Sequence, residues 1–318
     1  MHSAEMPALQ RELFPRVRQS ARPLIVILGP TASGKTDFSL ETAETLQREF
    51  GRIVEIVNAD SRQLYRYLDI GTAKIRRDEM RGIAHHLLDV LDPKEEITAA
   101  AYQSMAFRTI DDIHARGSIP FLVGGSMLYL SAVMDNLSFV DAADASLRAE
   151  LEREYDRDHG ESLYAELTQL DPDTASGFHP RNKPYLIRAL EILRTTGGRP
   201  SAMKRAAPCP YDLFIIGVFQ PREELAKRIE RRTSAMFASG WIDEVQSLID
   251  RGYTAEDPAM KSSGYREVMR YIQNRLPSTQ RELEDQIAGK TRRYAKRQMT
   301  WWKGDERILW VDAQTASI

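Results

Sequence analysis

One stretch constrains this chain more than any other, an octapeptide that reads Gly29-Pro30-Thr31-Ala32-Ser33-Gly34-Lys35-Thr36. It follows the apolar run Leu24 to Leu28 and precedes a helix-compatible run from Asp37 to Arg48. A glycine, four residues and then Gly-Lys-Thr, set between a strand and a helix, is the pattern of a loop that cradles phosphate groups. Backbone N–H groups and the helix N-terminus converge there, Lys35 adds a charge, and the Thr36 hydroxyl can hold Mg²⁺. The loop therefore predicts a site for a diphosphate or a triphosphate, without identifying the compound.

Composition places the chain among cytosolic globular proteins. Its 318 residues favour two domains, and its single cysteine, Cys209, excludes an intrachain disulfide and a cysteine-rich zinc module. No apolar run is long enough to span a membrane, and the N-terminus lacks the apolar stretch of a secretory signal. We therefore expect a cytoplasmic monomer that has no membrane partner.

The charge balance is nearly neutral, but the basic residues are clustered. The chain has 44 basic and 46 acidic residues, a formal charge of -2. One cluster, at 290–303, contains Lys290, Arg292, Arg293, Lys296, Arg297 and Lys303, with Tyr294, Trp301 and Trp302 among them. A second contains Arg181, Lys183, Arg188, Arg194, Arg199, Lys204 and Arg205. Basic residues interleaved with aromatic ones suit phosphate contacts and base stacking, although solvated helix faces have the same composition.

Two further strands are predicted to end in polar or small residues. The β-branched run Ile53 to Val57 leads into Asp60, and the run Ile119 to Val123 leads into two glycines and Ser126. Because ligands of open α/β sheets bind outside the carboxyl ends of the strands, Asp60 and Ser126 should face the crevice of the phosphate loop. The adjacent pair His85-His86 is interpreted as loop residues that pack or form hydrogen bonds rather than bind a metal.

These elements predict an α/β fold with a parallel sheet and a second, all-helical domain. Residues 22–139 and 209–318 form the predicted core, and 140–208, which contain helical patterns and no convincing strand, form the inserted domain. Residues 1–21 are an N-terminal extension with no assigned role. In the second half of the core we expect a strand from Leu213 to Phe219 and a helix from Arg222 to Ala238.

Seven segments between about Leu24 and Trp310 together resemble the tRNA dimethylallyltransferase (tRNA isopentenyltransferase) family. They read GPTASGKT at 29–36, NADSRQLY at 58–65, DIGTAK at 69–74, FLVGGSMLYL at 121–130, RALEI at 188–192, SGYRE at 263–267 and TRRYAKRQMTWW at 291–302. The resemblance implies a P-loop kinase-like core with an inserted helical tRNA-binding domain. It also implies Mg²⁺-dependent transfer of a dimethylallyl group from dimethylallyl diphosphate to the exocyclic N6 of the adenine just 3′ of the anticodon, giving N6-isopentenyladenosine.

The resemblance assigns roles to individual residues. The phosphate loop, Lys35 and Arg232 would stabilise the departing diphosphate, with Mg²⁺ at Thr36. Asp60 matches the family's general base, which an amine conjugated to a purine needs as it loses a proton. Ser126 stands where the family usually has threonine, so the hydroxyl is kept and a methyl group is lost.

Contacts to the anticodon stem-loop of tRNA are implied for a larger set of residues. They are Asp60, Ser61, Arg62, Gln63, Ser126, Arg148, Pro184, Tyr185, Leu186, Ile187, Arg188, Lys261, Ser262, Ser263, Gly264, Tyr265 and Arg266. The chain departs from the family at 181–185, where it reads Arg-Asn-Lys-Pro-Tyr and many members read Asn-Asp-Pro-Gln-Arg. The family register is restored from Arg188 onwards.

Three other functions compete with this interpretation. A P-loop small-molecule kinase would use Asp60 to help hold Mg²⁺, but the strand Ile119 to Val123 ends in two glycines rather than in the aspartate typical of a nucleotide-hydrolysing site. An adenylate isopentenyltransferase would apply the same chemistry to free nucleotides, whereas the inserted domain and the basic segment at 290–303 favour tRNA. A non-catalytic tRNA-binding protein would leave the phosphate loop unused.

Overall fold

We analysed a computed structural model, which describes residues 13–139, 145–203, 208–262, 264–273 and 279–313. The chain divides into two compact units, Met1–Met134 with Cys209–Ile318, and Asp135–Pro208. The predicted domain boundaries were 139/140 and 208/209. We refer to the first unit as the core unit and to the second as the helical unit.

A parallel sheet organises the core unit. In the described residues its strands are β1 (Pro23–Leu28), β2 (Val54–Asn58), β3 (Ala84–His86), β4 (Ile119–Gly124), β5 (Asp212–Phe219) and β6 (Ile308–Asp312), in the spatial order β3-β2-β4-β1-β5-β6. Strands β1 and β2 are buried along their whole length, as expected for β-branched runs covered on both faces. The predicted α/β fold with a parallel sheet is confirmed.

Helices cover both faces of this sheet, and α10, α11 and α12 pack with α13 in clusters of their own. The α-helices in the described residues of the core unit are α1 (whose described part is 13–19), α2 (Lys35–Phe50), α3 (Ala99–Ala115), α4 (Met127–Met134), α10 (Arg222–Ala238), α11 (Trp241–Asp250), α12 (Tyr265–Ile272) and α13 (Gln280–Trp302). One face, with Ile25 and Ile27, packs on α1 and α2, and the other, with Leu24 and Val26, packs on α3 and α4. Adjacent β1 residues therefore alternate between two cores, because successive side chains of a strand point to opposite faces.

Within its described residues the helical unit contains helices alone. They are α5 (Ala145–Asp158), α6 (Glu161–Leu170), α7 (Pro172–Ser176), α8 (Lys183–Thr196) and α9 (Pro200–Met203). Leu151, Leu163, Leu167, Leu186 and Leu190 are buried together, at the four-residue spacing that places apolar side chains on one helix face. Of all the helices in the described parts of the chain, none has the length and apolar character needed to cross a membrane.

The structure corrects one expectation about local structure and adds a packing contact that the sequence did not predict. His85 and His86 belong to the short edge strand β3, where they pair with Ile56 and Val57, and not to a loop. The extension predicted at 1–21 includes part of α1, and the side chains of Leu13 and Val17 are buried against the sheet. Residues four apart lie on one face of a helix, which lets these two apolar side chains reach the core together.

Glycine permits two close approaches of backbone at the carboxyl edge of the sheet. A Cβ on Gly29 would lie 2.2 Å from the Val218 carbonyl oxygen, and a Cβ on Gly124 would lie 2.2 Å from the carbonyl carbon of Ala59. Both contacts are with backbone, which cannot rotate aside as a side chain can. The start of the phosphate loop consequently lies closer to β5, and the end of β4 closer to the loop after β2, than any larger residue would allow.

We predict that Gly124→Ala destabilises the protein by about 3 kcal/mol, the upper part of the usual range for overpacking, because the new methyl group overlaps the Ala59 backbone. Gly304→Ala is the matched control, since a Cβ at Gly304 has no heavy atom within 4 Å. The midpoint of urea unfolding, followed by circular dichroism, measures both. Equal midpoints for the two variants would contradict the close approach of β2 and β4.

Candidate active site

The phosphate loop connects β1 directly to α2. Gly34, with φ 96° in the left-handed region, precedes the first residue of the helix, and Gly29, with φ 151°, begins the loop. The Lys35 ammonium donates to the Pro30 carbonyl oxygen at 2.8 Å, so its charge is folded back over the loop. The Lys35 ammonium therefore lies over the phosphate loop, at the N-terminus of a 16-residue helix.

Burial lowers the pKa of Lys35 to about 8, because its ammonium is removed from water. The negative charge of Asp60 opposes this shift, and the positive charge of Arg232 adds to it. Lys35 therefore loses its proton at a lower pH than an exposed lysine does, at about pH 8. A bound polyanion would restore the charge, since an anion favours the protonated ammonium.

Two arginines one turn apart on α10 hold the phosphate loop from the side. Arg228 Nε donates to the Ala32 carbonyl oxygen at 3.0 Å, and Arg232 Nη2 donates to the Thr31 hydroxyl. Burial lowers the pKa of Arg232, with Asp60 acting against the shift and Arg228 adding to it. Arg232, which the family resemblance assigns to the diphosphate, therefore lies against the loop.

Asp60 lies in a tight turn just beyond the end of β2. Its carboxylate Oδ1 accepts from the Arg62 N–H at 2.9 Å, and its own N–H donates to Asn58 Oδ1 at 3.0 Å. Asn58 Nδ2 donates to the Asp60 and Leu87 carbonyl oxygens, each at 3.0 Å. The side chain of Asn58 therefore locks the turn, and the position of the Asp60 carboxylate is fixed by backbone rather than by a flexible partner.

Ser126 reaches the same turn from β4. Its hydroxyl oxygen accepts from the Ser61 N–H at 2.8 Å and lies 3.1 Å from the Ser61 hydroxyl. From α13, the Tyr294 hydroxyl donates to the Gly125 carbonyl oxygen at 3.3 Å. Burial raises the pKa of Tyr294 to about 12, with Asp60 adding to the shift and a hydrogen bond with Ser126 opposing it. The phosphate loop, the turn after β2, the loop after β4 and helix α13 thus meet around one carboxylate.

Gln298, also on α13, connects two of these segments. Its Oε1 accepts from the Thr31 N–H at 2.9 Å, and its Nε2 donates to the Gly125 carbonyl oxygen at 2.7 Å. The side chain is 1% exposed. A single amide therefore satisfies one donor of the phosphate loop and one acceptor of the loop after β4.

The loop at 69–74 borders the site on the remaining side. The buried Lys74 ammonium donates to Asp69 Oδ1 at 2.6 Å and to Asp89 Oδ1 at 2.5 Å. Glu244 on α11 accepts from the backbone N–H groups of Asp69 at 3.0 Å and of Ile70 at 2.7 Å. The ion pairs of Lys74 and the hydrogen bonds to Glu244 therefore hold this loop in place, although it has no regular secondary structure.

These residues enclose two adjoining cavities. The inner cavity, about 120 Å³, is lined by residues that include Thr31, Lys35, Thr36, Asn58, Asp60, Gln63, Gly124, Gly125, Arg232 and Gln298. The outer cavity, about 450 Å³, is lined by residues that include Asp60, Ser61, Arg62, Trp241, Lys261, Ser262, Arg266, Lys290, Arg293, Tyr294 and Arg297. Thr31, Asp60, Thr72 and Arg232 border both. The carboxylate thus lies where the cavity beside the phosphate loop meets a wider, basic one.

The basic segment at 290–303 divides between the faces of α13. Lys290, Arg293 and Arg297 line the outer cavity, and Lys290 pairs with Glu267, which lines it too. Arg292 points to α10, where its guanidinium lies 2.5 Å from a carboxylate oxygen of Glu230. Part of the cluster therefore supplies positive charge to the cavity, and part is neutralised on the surface.

Several residues assigned to tRNA by resemblance do not expose their side chains. Ser126 and Tyr265 are buried, and the Tyr265 hydroxyl donates to Glu244 Oε1 at 2.6 Å. Gly264 lies directly against Trp241. A Cβ at this position would be 2.2 Å from the indole ring, so only glycine fits. Ser263 lies outside the described residues. Ser126, Gly264 and Tyr265 therefore lie behind the residues that line the outer cavity.

In the helical unit, some of the residues that the resemblance assigns to tRNA are buried and others are exposed. The side chains of Leu186 and Ile187 belong to the core of that unit. Pro184 and Tyr185 are exposed, and Arg148 and Arg188 lie 4.0 Å and 2.7 Å from Glu191 Oε2. Of the second basic cluster, Lys204 and Arg205 lie outside the described residues.

Comparison of sequences places the site among known proteins. A family model described as IPP transferase matches residues 63–305. The chain is 42% identical over 293 residues to a tRNA dimethylallyltransferase of Symbiobacterium thermophilum, a match that covers 91% of this chain and 89% of the relative. It is 39% identical over 296 residues to a tRNA dimethylallyltransferase of Geobacter sulfurreducens, covering 92% and 93%.

Solved structures agree with the sequence matches. The tRNA isopentenylpyrophosphate transferase of Bacillus halodurans is similar at a TM-score of 0.66 and 39% identity, over 92% of this chain and 90% of that one. A eukaryotic dimethylallyltransferase acting on tRNA is similar at a TM-score of 0.75 and 28% identity, over 92% and 74%. The likeness therefore extends along almost the whole chain.

We predict that the affinity for inorganic pyrophosphate falls as the pH rises above about 8, because Lys35 then loses its proton and its charge. Lys35→Arg is the control, since a guanidinium stays charged and the titration of the ligand itself is the same for both proteins. The measurement is the ratio of the two dissociation constants, from isothermal titration calorimetry between pH 6.5 and pH 9.5. A ratio that does not change across this range would contradict the lowered pKa.

Proposed function

The chain belongs to the IPP transferase family, and from that premise we propose that it transfers a dimethylallyl group from dimethylallyl diphosphate to N6 of the adenine just 3′ of the tRNA anticodon. The observation that carries the proposal is the position of Asp60, between the cavity beside the phosphate loop and a basic cavity. Such an arrangement lets a diphosphate ester and a nucleic-acid base meet at one carboxylate.

The inner cavity suits the diphosphate of the donor. Phosphate-loop N–H groups, the N-terminus of α2, Lys35 and Arg232 would all stabilise the negative charge that develops as the bond between C1 and the diphosphate oxygen breaks. They are held in place before a ligand arrives, since Arg232 is already bonded to Thr31 and Lys35 to Pro30. Little reorganisation is then needed when the charge appears.

The residues present also fit Mg²⁺ at Thr36. Its hydroxyl lines the inner cavity, and Mg²⁺ commonly takes one or two protein oxygens and completes its shell with substrate phosphates and water. No group of three or more histidine, cysteine or carboxylate side chains is gathered as a metal site in the parts of the chain that the structure describes. Bound Mg²⁺ would neutralise charge on the diphosphate, as a Lewis acid does.

Asp60 suits the acceptor side of the reaction. The N6 lone pair forms the new bond to C1 as the bond from C1 to the diphosphate oxygen breaks, and the nitrogen must then lose one proton. The Asp60 carboxylate would take that proton, leaving neutral N6-isopentenyladenosine and free diphosphate. The adenine has to leave its stack to reach so enclosed a carboxylate, as bases do in other enzymes that modify them.

The outer cavity favours tRNA over a free nucleotide as acceptor. Its lining includes Arg62, Arg232, Lys261, Arg266, Lys290, Arg293 and Arg297, against the carboxylates of Asp60 and Glu267. One nucleotide cannot occupy so many cations, whereas a folded strand with several phosphates can. A cytoplasmic monomer that acts on the anticodon stem-loop remains our proposal for its setting. Incubation with dimethylallyl diphosphate, Mg²⁺ and either bulk tRNA or AMP tests the choice, and prenylation of AMP alone would overturn it.

We predict that Asp60→Asn lowers the single-turnover rate by about 10² to 10⁴, because it keeps the shape and removes the base. Affinity for tRNA and for dimethylallyl diphosphate should change little. If Asp60 held Mg²⁺ instead, the same variant would bind the diphosphate weakly and would regain activity with excess Mg²⁺. Rates and diphosphate affinity measured across a Mg²⁺ titration separate the two roles, and rescue by Mg²⁺ would refute the general base.

We predict that Arg293→Gln with Arg297→Gln reduces the slope of log affinity for tRNA against log salt by about 2, one for each lost phosphate contact. Both side chains line the outer cavity. Arg292→Gln is the matched control, since its guanidinium is paired with Glu230 on α10 and it should leave the slope nearly unchanged. Filter binding between about 50 and 200 mM salt gives the three slopes. If Arg292 affected the slope as strongly as the pair, tRNA would bind to the other face of α13.

A further inference from the structure

We propose that Gln298 is a positioning residue, which sets the separation between the phosphate loop and the acceptor side of the site. The inference rests on the proposed function. It starts from the two hydrogen bonds of one buried side chain, whose Oε1 accepts from the Thr31 N–H at 2.9 Å and whose Nε2 donates to the Gly125 carbonyl oxygen at 2.7 Å. Thr31 belongs to the loop that would hold the donor, and Gly125 precedes Ser126.

The partners leave the amide a single orientation. The Thr31 N–H can only donate and the Gly125 carbonyl can only accept, so the oxygen of the side chain must face the phosphate loop. At this length, a carboxamide offers a donor and an acceptor in one plane without having to take up a proton. Asparagine is one methylene shorter and cannot span the same two atoms without moving one of the loops.

Gln298 is connected to the catalytic carboxylate by a short chain of contacts. It holds the Gly125 carbonyl, the next residue is Ser126, and the Ser126 hydroxyl accepts from the Ser61 N–H at 2.8 Å. Ser61 follows Asp60 directly. A shift of the Gly125 peptide would therefore move the turn that presents the carboxylate, relative to the loop that would hold the diphosphate.

The backbone that carries Gln298 is itself firmly held. Ala295 and Trp302, three residues before and four after it on α13, are buried in separate apolar clusters. Tyr294, one turn earlier, donates from its hydroxyl to the same Gly125 oxygen at 3.3 Å. These contacts fix the position of the helix and of the Gln298 amide. The hydrogen bonds of the amide then fix the position of both loops.

Loss of Gln298 should lower the reaction rate more than it weakens the binding of either substrate. Reacting atoms must approach to roughly 3–3.5 Å, and a misplacement of about 1 Å can cost about 100-fold in rate. Each loop would keep its own ligand contacts if Gln298 were lost, because Lys35, Arg232 and Asp60 have other anchors. We therefore expect the relation between donor and acceptor to suffer, and their separate affinities to persist.

The first test is Gln298→Met, which keeps the length of the side chain and removes both hydrogen bonds. The expected result is a single-turnover rate about 100-fold below that of the wild type, with dissociation constants for tRNA and dimethylallyl diphosphate changed less than about threefold. Gln103→Met is the matched control, since Gln103 on α3 donates to the Ala132 carbonyl oxygen at 2.6 Å away from both cavities. It should keep the wild-type rate.

The second test is Gln298→Glu, read as a pH profile. An ionised carboxylate still accepts from Thr31 but cannot donate to Gly125, whereas the protonated form does both. The charged and titratable groups that line the same cavity are Lys35, Asp60, His85 and Arg232, and dividing by the wild-type rate at each pH removes their shared contribution. The expected ratio of variant to wild type rises as the pH falls.

The outcomes separate this inference from the proposed function. If the wild type prenylates tRNA and Gln298→Met matches it in rate, Gln298 does not position the loops. If Gln298→Met fails to fold, the Gln298→Glu profile decides, and a ratio that stays flat with pH overturns the inference. If the wild type prenylates no tRNA at all, it is the proposed function that fails. An increase in the dissociation constant for dimethylallyl diphosphate with no change in single-turnover rate would identify Gln298 as a donor-binding residue and refute the positioning role.

Discussion

The site depends on how closely three loops can approach at the carboxyl edge of the parallel sheet. Gly29 lies against the Val218 carbonyl and Gly124 against the Ala59 backbone, at distances where no Cβ fits. The first contact holds the start of the phosphate loop against β5, and the second holds the end of β4 against the loop after β2. Gln298 on α13 then joins the phosphate loop to the loop after β4. The chemistry of the site depends on this close approach, because it brings functional groups from distant parts of the chain into one small cavity.

Crowding also determines the electrostatics. Lys35 and Arg232 are partly buried and line the same inner cavity, and their removal from water lowers the pKa of both, to about 8 for Lys35. The negative charge of Asp60 opposes each shift and so favours the charged form of both side chains. A site built in this way is primed for a polyanion, since binding relieves the repulsion between the cations and lets the carboxylate act elsewhere.

Sequence patterns predicted the parts of the site that depend on local geometry. The phosphate loop and the strands before Asp60 and Ser126 could be located, because the carboxyl ends of parallel strands share one edge. The contacts of Gln298 could not, since it lies 267 residues from Thr31 and no local pattern distinguishes an inward glutamine from an outward one on a polar helix. The three-residue strand β3 and the packing of α1 were missed for a related reason, because pairing with β2 and burial against the sheet decide them, not propensity.

The division of charge on α13 explains how a chain of net charge -2 can offer a basic cavity. A polyanion responds to charges within about 8–10 Å of it, the Debye length in physiological salt, and the total over the molecule matters little. Glu230 neutralises Arg292 on the far face of the helix, while Arg293 and Arg297 face the outer cavity. The acidic residues that balance the total are elsewhere on the surface, for example Asp156 beside Lys183 in the helical unit. The position of each carboxylate, more than their number, therefore decides where a nucleic acid can bind.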